Sequence, residues 1–182
     1  TSYNFINSAI DQIYNQVGNN KVLCAISGGV DSTVTAALLN KAINENLICL
    51  FVNNGLLRKN EADEVVNKFK EAKIKVEYVD ATETFVSNLN TVIDPEQKRK
   101  IIGKTFISVF ESFTKTFDDI KFLAQGTLYP DVIESATEDS PNAAKIKTHH
   151  NVGGLPKNMN FELIEPLRNH FKDEVRSIGR EL

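Results

Sequence analysis

Cysteine is scarce in this chain: the 182 residues hold two, Cys24 and Cys49, each inside an apolar run. Two cysteines make neither a disulfide framework nor a zinc site, and in strand-like runs they read as small buried hydrophobes in reduced form. Three histidines add no ligand set for zinc. Positive charge is not concentrated either. The formal net charge is -3 and no basic block stands out, so the electrostatic footprint of a DNA- or tRNA-binding protein is missing. No apolar stretch approaches the roughly 20 residues of a membrane span, and the N-terminal segment lacks the plan of a secretory signal. These absences point to a cytoplasmic protein of small-molecule chemistry, with no membrane and no nucleic acid as partner. The chain shows no repeat and no low-complexity tract. It opens on Thr1 and its last helical run reaches Leu182 without a cap, which gives the expectation of a piece cut from something longer.

What is present alternates. Apolar spacing predicts a helix over Tyr3 to Val17, and Lys21 to Ile26 is a near-continuous apolar run of the kind that forms a central parallel strand. A helix from Thr33 to Ile43 follows, then a strand over Leu47 to Val52, a charged helix from about Asn60 to Glu71, and a strand over Ile74 to Val79. Lys98 to Phe113 reads as a long helix, with Phe106, Phe110 and Phe113 packing into the core. Phe122 to Ala124 and Phe161 to Ile164 read as strands, and Lys172 to Leu182 as the last helix. The order predicts an α/β fold, a doubly wound parallel sheet with helices on both faces. Ligands of such sheets bind beyond the carboxyl ends of the strands. Segments 27–32, 53–58 and 125–135 each follow a strand, so they converge on one crevice. Residues 135–156 carry no clear period and read as a functional lid or a disordered loop.

The string Ser27-Gly28-Gly29-Val30-Asp31-Ser32 joins a buried strand to a helix start. Two glycines let the backbone take positive φ and approach a ligand closely. Free N–H groups at the helix N-terminus, with the Ser27 and Ser32 hydroxyls, then face an anion, and the chemistry is that of a phosphate site. The string is neither a Walker A loop nor the dinucleotide pattern G-x-G-x-x-G.

SGGVDS resembles the signature of the PP-loop ATP pyrophosphatases, which cleave ATP between the α and β phosphates. Further strings, in order, resemble the GMP synthetases among them: Asn54 to Arg58, Lys98 to Gly103, Ala124 to Ser135, Lys147 to Pro156 and Phe171 to Arg176. The resemblance covers most of the chain from Lys21 onward. It implies an adenine nucleotide alpha-hydrolase-like fold and an ATP-dependent amination of XMP to GMP through adenylyl-XMP, with release of AMP and pyrophosphate. It implies ATP and Mg²⁺ as cofactors, XMP and ammonia as substrates, a glutamine amidotransferase domain or subunit as partner, and a homodimer in the full-length enzyme. The whole of residues 1–182 then forms the ATP-pyrophosphatase domain, with glutaminase and dimerisation domains outside it. One departure stands at Asn53, where these enzymes commonly have Asp; the substitution keeps hydrogen-bonding capacity and drops a negative charge beside the nucleotide.

The resemblance assigns Ser27, Gly28, Gly29, Val30, Asp31, Ser32 and Thr33 to the ATP site. Asp31 either binds Mg²⁺ or caps the helix. Arg99, in a Lys-Arg-Lys run that alone reads as a solvated helix face, is placed on the XMP phosphate, and Arg58 is a weaker candidate. Gln125, Gly126 and Thr127 end a strand at the crevice, where the backbone meets the adenylate. Asp131 and Glu134 lie one helical turn apart, so both carboxylates can face the crevice and a metal, or else complement a helix N-terminus. Lys147, His149 and His150 sit on the lid and reach the ATP from there, whereas His170 reads as surface. The alternatives are another PP-loop ligase, of the NAD synthetase or tRNA thiolase type, and a non-enzymatic ATP-binding module.

Overall fold

The structure, a computed structural model, describes residues 1–117, 119–126 and 161–182. Six α-helices are present among these: α1 (Ser2–Val17), α2 (Val30–Ile43), α3 (Glu61–Glu71), α4 (Thr82–Leu89), α5 (Pro95–Thr114) and α6 (Lys172–Glu181). The strands are β1 (Lys21–Ile26), β2 (Leu47–Asn53), β3 (Val76–Asp80), β4 (Ile120–Ala124) and β5 (Glu162–Ile164). They form one sheet in the order β3-β2-β1-β4-β5, every pair parallel. From β1 the chain winds one way to β3, and from β4 the other way to β5. The order therefore reverses between β1 and β4, which is where a doubly wound sheet opens a crevice.

Both faces of the sheet are covered, and the strand residues alternate between two cores. Val22, Cys24 and Ile26 of β1, with Leu47, Cys49 and Phe51 of β2, pack against α1, α2, α3 and α6. Leu23 of β1 and Leu50 and Val52 of β2 pack on the other side with Phe85 of α4 and Phe110 of α5. Period-two alternation with apolar residues on both faces explains why these strands read as continuous apolar runs. Cys24 and Cys49 are register partners, fully buried and free. The contact with Cys49, and then burial, push the Cys24 thiol well above its ordinary range.

Element ends differ from the sequence expectation where a cap was not read. Asp94 accepts from Gln97 N–H at 3.2 Å and Pro95 occupies the first helical position, so α5 starts three residues before Lys98. Ile74 belongs to the end of α3 rather than to β3. Lys73 takes φ 59°, its N–H bonds to Lys70 O, and Ile74 N–H reaches back to Phe69 O at 2.9 Å. This is a Schellman closure with a buried hydrophobic residue at its end. Helix α4 had no counterpart in the sequence reading, because Phe85 is its only fully buried side chain and Val86 is 61% exposed. Its eight residues make only about two turns, too short a run for one buried side chain to mark a helix.

Candidate active site

The chain leaves β1 at Ile26 and enters α2 at Val30, three residues earlier than the sequence placed the helix start. Val30, Asp31 and Ser32 therefore belong to the first helical turn, where backbone N–H groups lack intrahelical acceptors. Gly28 has φ 82° and Gly29, the N-cap, has φ -77°. Only the first glycine needs the left-handed region, which corrects the expectation that both do. At Gly28 a Cβ would also stand 2.9 Å from Val65 Cγ2 of α3, so sterics and dihedral both select glycine.

Ser32 braces the loop from within. Its hydroxyl is buried, donates to Gly29 O at 3.2 Å, and accepts from Ser27 N–H at 3.2 Å and Ser27 Oγ at 3.3 Å. Thr33 Oγ1 also donates to Gly29 O, at 2.9 Å. Ser32 is thus a fastener of the loop, while Ser27, Gly28, Gly29 and Val30 are exposed on it. Asp31 is the acidic residue of the first turn, and the N-cap position itself belongs to Gly29.

Two other strand ends meet the loop. After β4, Gly126 packs directly on Asp31: a Cβ there would stand 2.9 Å from the Asp31 carbonyl carbon and 3.1 Å from its Cβ. After β2, Asn53 Oδ1 accepts from Gly55 N–H at 2.8 Å and Asn54 Oδ1 from Leu56 N–H at 2.9 Å, two nested Asx turns. Asn53 Nδ2 donates to Tyr78 Oη at 2.9 Å, and the Tyr78 ring stacks near Phe51 at 6.2 Å between centroids. The Asn53 side chain is thus committed to the turn and to Tyr78. At the end of β3, the Thr82 hydroxyl and then its backbone N–H hold the Asp80 carboxyl below its usual range, with Asp80 Oδ1 accepting both.

These ends enclose a cavity of about 300 Å³. Its polar wall holds Ser27, Asp31, Ser32, Asn54, Gln125 and Gly126, and its apolar wall includes Leu50, Val52, Leu57, Phe106 and Phe110. The size and the mixed lining suit a flat apolar ring carrying a charged tail. Phe106 and Phe110, read from sequence as core only, form part of this wall as well. The Gln125 side chain, 4% exposed, is a lining residue that no periodicity signals.

Arg99 is exposed near the start of α5 and Arg58 is exposed before α3; neither lines the cavity. His170, read as surface, is half-buried: its ring meets Phe5 edge-on at 4.2 Å and Nδ1 lies 3.4 Å from Glu174 Oε2. Packing of α6 on α1 accounts for that change. Thr127, Asp131, Glu134, Lys147, His149, His150 and the proposed lid over 135–156 lie outside the described residues. Among the described residues, no three His, Cys, Asp or Glu side chains gather as a metal group, and no helix is long and apolar enough to cross a membrane.

The family model described as NAD synthase matches residues 2–104. The chain belongs to the NAD synthase family. Across its full length it is 58% identical to the GMP synthase [glutamine-hydrolyzing] of Carboxydothermus hydrogenoformans, of which it covers 35%. It is 56% identical to the enzyme of that name from Teredinibacter turnerae, again over 100% of this chain and 35% of that one. A putative GMP synthase [glutamine-hydrolyzing] 2 of Bacteroides thetaiotaomicron is 56% identical over 98% of this chain and 41% of its own. The likeness to GMP synthetases drawn from the motifs is met, and the chain spans about a third of the length of the curated relatives it matches. Among solved structures, the NH3-dependent NAD synthetase of Campylobacter jejuni superposes with a TM-score of 0.72 at 12% identity, over 100% of this chain and 73% of that one. A U34-tRNA thiolase of Methanococcus maripaludis gives 0.62 at 23% identity, over 97% and 63%. Both bear out the expected PP-loop fold.

Proposed function

We propose that this chain is the ATP-pyrophosphatase domain of a GMP synthetase, a ligase that adenylates XMP so that ammonia can replace the activated oxygen. The observation that carries the reading is the meeting of the Ser27–Thr33 loop with Gly126 at the switch point, in a chain 58% identical over its length to a GMP synthase. ATP places its ring against the apolar wall and its phosphates on the first turn of α2, with Gly126 beside the reacting end. The XMP carbonyl oxygen attacks the α-phosphorus, the bond to the bridging oxygen breaks, and pyrophosphate departs. Ammonia then forms the C–N bond, and AMP leaves with the C–O electron pair. The domain's work is to align two nucleotides and to meet the charge that develops on the departing pyrophosphate.

The residues present fit Mg²⁺, a cation that commonly needs one or two carboxylates besides substrate phosphates. Asp31, which lines the cavity at the first turn of α2, supplies the first, and Asp131 and Glu134 are assigned as further ligands. The ion, when bound, neutralises charge on the phosphate oxygens. Arg99 is assigned to the XMP phosphate, and Lys147, His149 and His150 to the ATP. Ammonia comes from a glutamine amidotransferase domain or subunit outside these 182 residues, in a homodimeric cytoplasmic enzyme.

A thiolase reading is disfavoured by the cysteines: both are fully buried in strands, and the Cys24 thiol is pushed up, away from a reactive thiolate. Incubation with ATP, Mg²⁺, XMP and ammonium decides between the readings. AMP is expected only when XMP is present, and Asp31→Ala is expected to lower its formation by about 10²–10³ with the fold retained by circular dichroism. Full activity in that variant removes Asp31 from the mechanism, and AMP formation independent of XMP removes the GMP reading.

A further inference from the structure

Glu165 follows β5 directly, and its side chain is 7% exposed. One oxygen, Oε2, accepts a charge-assisted hydrogen bond of 2.6 Å from Arg168 Nη1. The other, Oε1, is buried and accepts no hydrogen bond among the described residues. A buried carboxylate oxygen has lost its hydration, and folded proteins keep such an atom where a donor comes to it. The sequence reading did not single out Glu165 or Arg168.

The position says what kind of donor. Gln125 N–H bonds to Ile164 O at 3.0 Å, so Glu165 stands beside Gln125 and Gly126 of the cavity wall, one strand spacing away. Along β5, Leu163 packs on the α4–α5 face and Ile164 on the opposite one. Pro166 favours an extended backbone at Glu165, and the alternation of Leu163 and Ile164, carried one residue past β5, directs Glu165 to the α4–α5 side, next to the cavity-lining residues Gln125 and Gly126 rather than among them. The apolar wall lies toward β2, and the phosphate loop follows β1. A nucleotide ring on the first and phosphates on the second leave the β4–β5 side for the acceptor and its attacking group.

We propose that Glu165 receives the amine nucleophile and is its general base; this rests on the amination reading given above. Ammonia donates one N–H to Oε1 and keeps its lone pair for the activated purine carbon. As the C–N bond forms, the nitrogen becomes positive and one of its protons passes to Oε1. The C–O bond then breaks, AMP leaves with the electron pair, and two hydrogens of ammonia remain in the amino product. Arg168 is a positioning residue: it fixes Oε2 and so the direction of Oε1.

The test is made in the full-length protein that carries these residues, with ammonium chloride as nitrogen source. Two rates are read: XMP-dependent exchange of labelled pyrophosphate into ATP, which reports adenylation alone, and GMP formation. Glu165→Gln is expected to keep exchange within about threefold of the unaltered protein and to lower GMP formation by about 10²–10⁴, the range of a lost general base. Glu165→Asp, which retains a carboxylate, is expected to recover part of the amination that Glu165→Gln loses. Equal loss of both rates in both variants marks a packing role and overturns the proposal. Unchanged amination in Glu165→Gln, with exchange intact, also overturns it and leaves the amination reading standing. No XMP-dependent exchange in the unaltered protein overturns that reading first and the proposal with it.

Discussion

Gly126 and Asp31 touch across the switch point: a Cβ on Gly126 would lie 2.9 Å from the carbonyl carbon of Asp31. The contact is with backbone at the first turn of α2, so no side-chain rotation relieves it. Gly126→Ala therefore has to move β4's exit or the phosphate loop. It is expected to destabilise the domain by about 1–3 kcal/mol, the usual cost of overpacking, and to weaken ATP binding further, because the displaced segment is the proposed site itself. Calorimetric titration with ATP, beside a thermal melt, separates the two effects. Unchanged ATP affinity in a destabilised variant would place the nucleotide away from this loop.

Gly28 couples the same loop to α3. Its φ of 82° and the 2.9 Å approach of Val65 Cγ2 are independent obstacles to a side chain. Gly28→Ala is expected to cost about 1–2 kcal/mol for the left-handed backbone alone, plus the clash. Val65→Ala in the same chain removes only the clash, so a double-mutant cycle by urea unfolding should give a favourable coupling of about 0.5–3 kcal/mol. Strict additivity would show that the loop shifts away from α3 on its own.

The repeating parts of this molecule were legible in the sequence, and the single-residue parts were not. β1 and α1 were readable because continuous apolar runs and a 3.6-residue period are properties of many residues together. The phosphate loop was legible because its glycines and hydroxyls are consecutive. Ser32 read as a ligand group; it lines the cavity and also braces the loop from within, a second role the string does not display because a hydroxyl's direction depends on its neighbours. Asn53 posed the same problem: a lost negative charge was visible, but its bonds to Gly55 and Tyr78 come from a turn and a neighbouring strand. Gln125 was read at the crevice from its place after a strand, whereas Glu165, one residue past the end of β5, left no trace in any period.

Helix α6 carries a pH-dependent contribution whose sign follows from one carboxylate. Glu174 accepts from Phe171 N–H at 3.0 Å and faces His170 Nδ1 at 3.4 Å; the first contact, and then the second, hold its carboxyl below the usual range. A group whose folded value lies below its unfolded value of about 4.3 adds stability above that pH, and loses it as the pH falls through the folded value. Glu174→Gln keeps an acceptor for the Phe171 N–H but cannot titrate. The variant is therefore expected to be less stable than the unaltered chain at neutral pH, by an amount that shrinks as the pH falls below the ordinary carboxylate range. Thermal melts of both proteins across that range provide the check, with circular dichroism at the lowest pH confirming that both remain folded before heating. A difference that stayed constant into acid would mean that the carboxylate's charge is not what secures the start of α6, and that the Phe171 hydrogen bond alone does so.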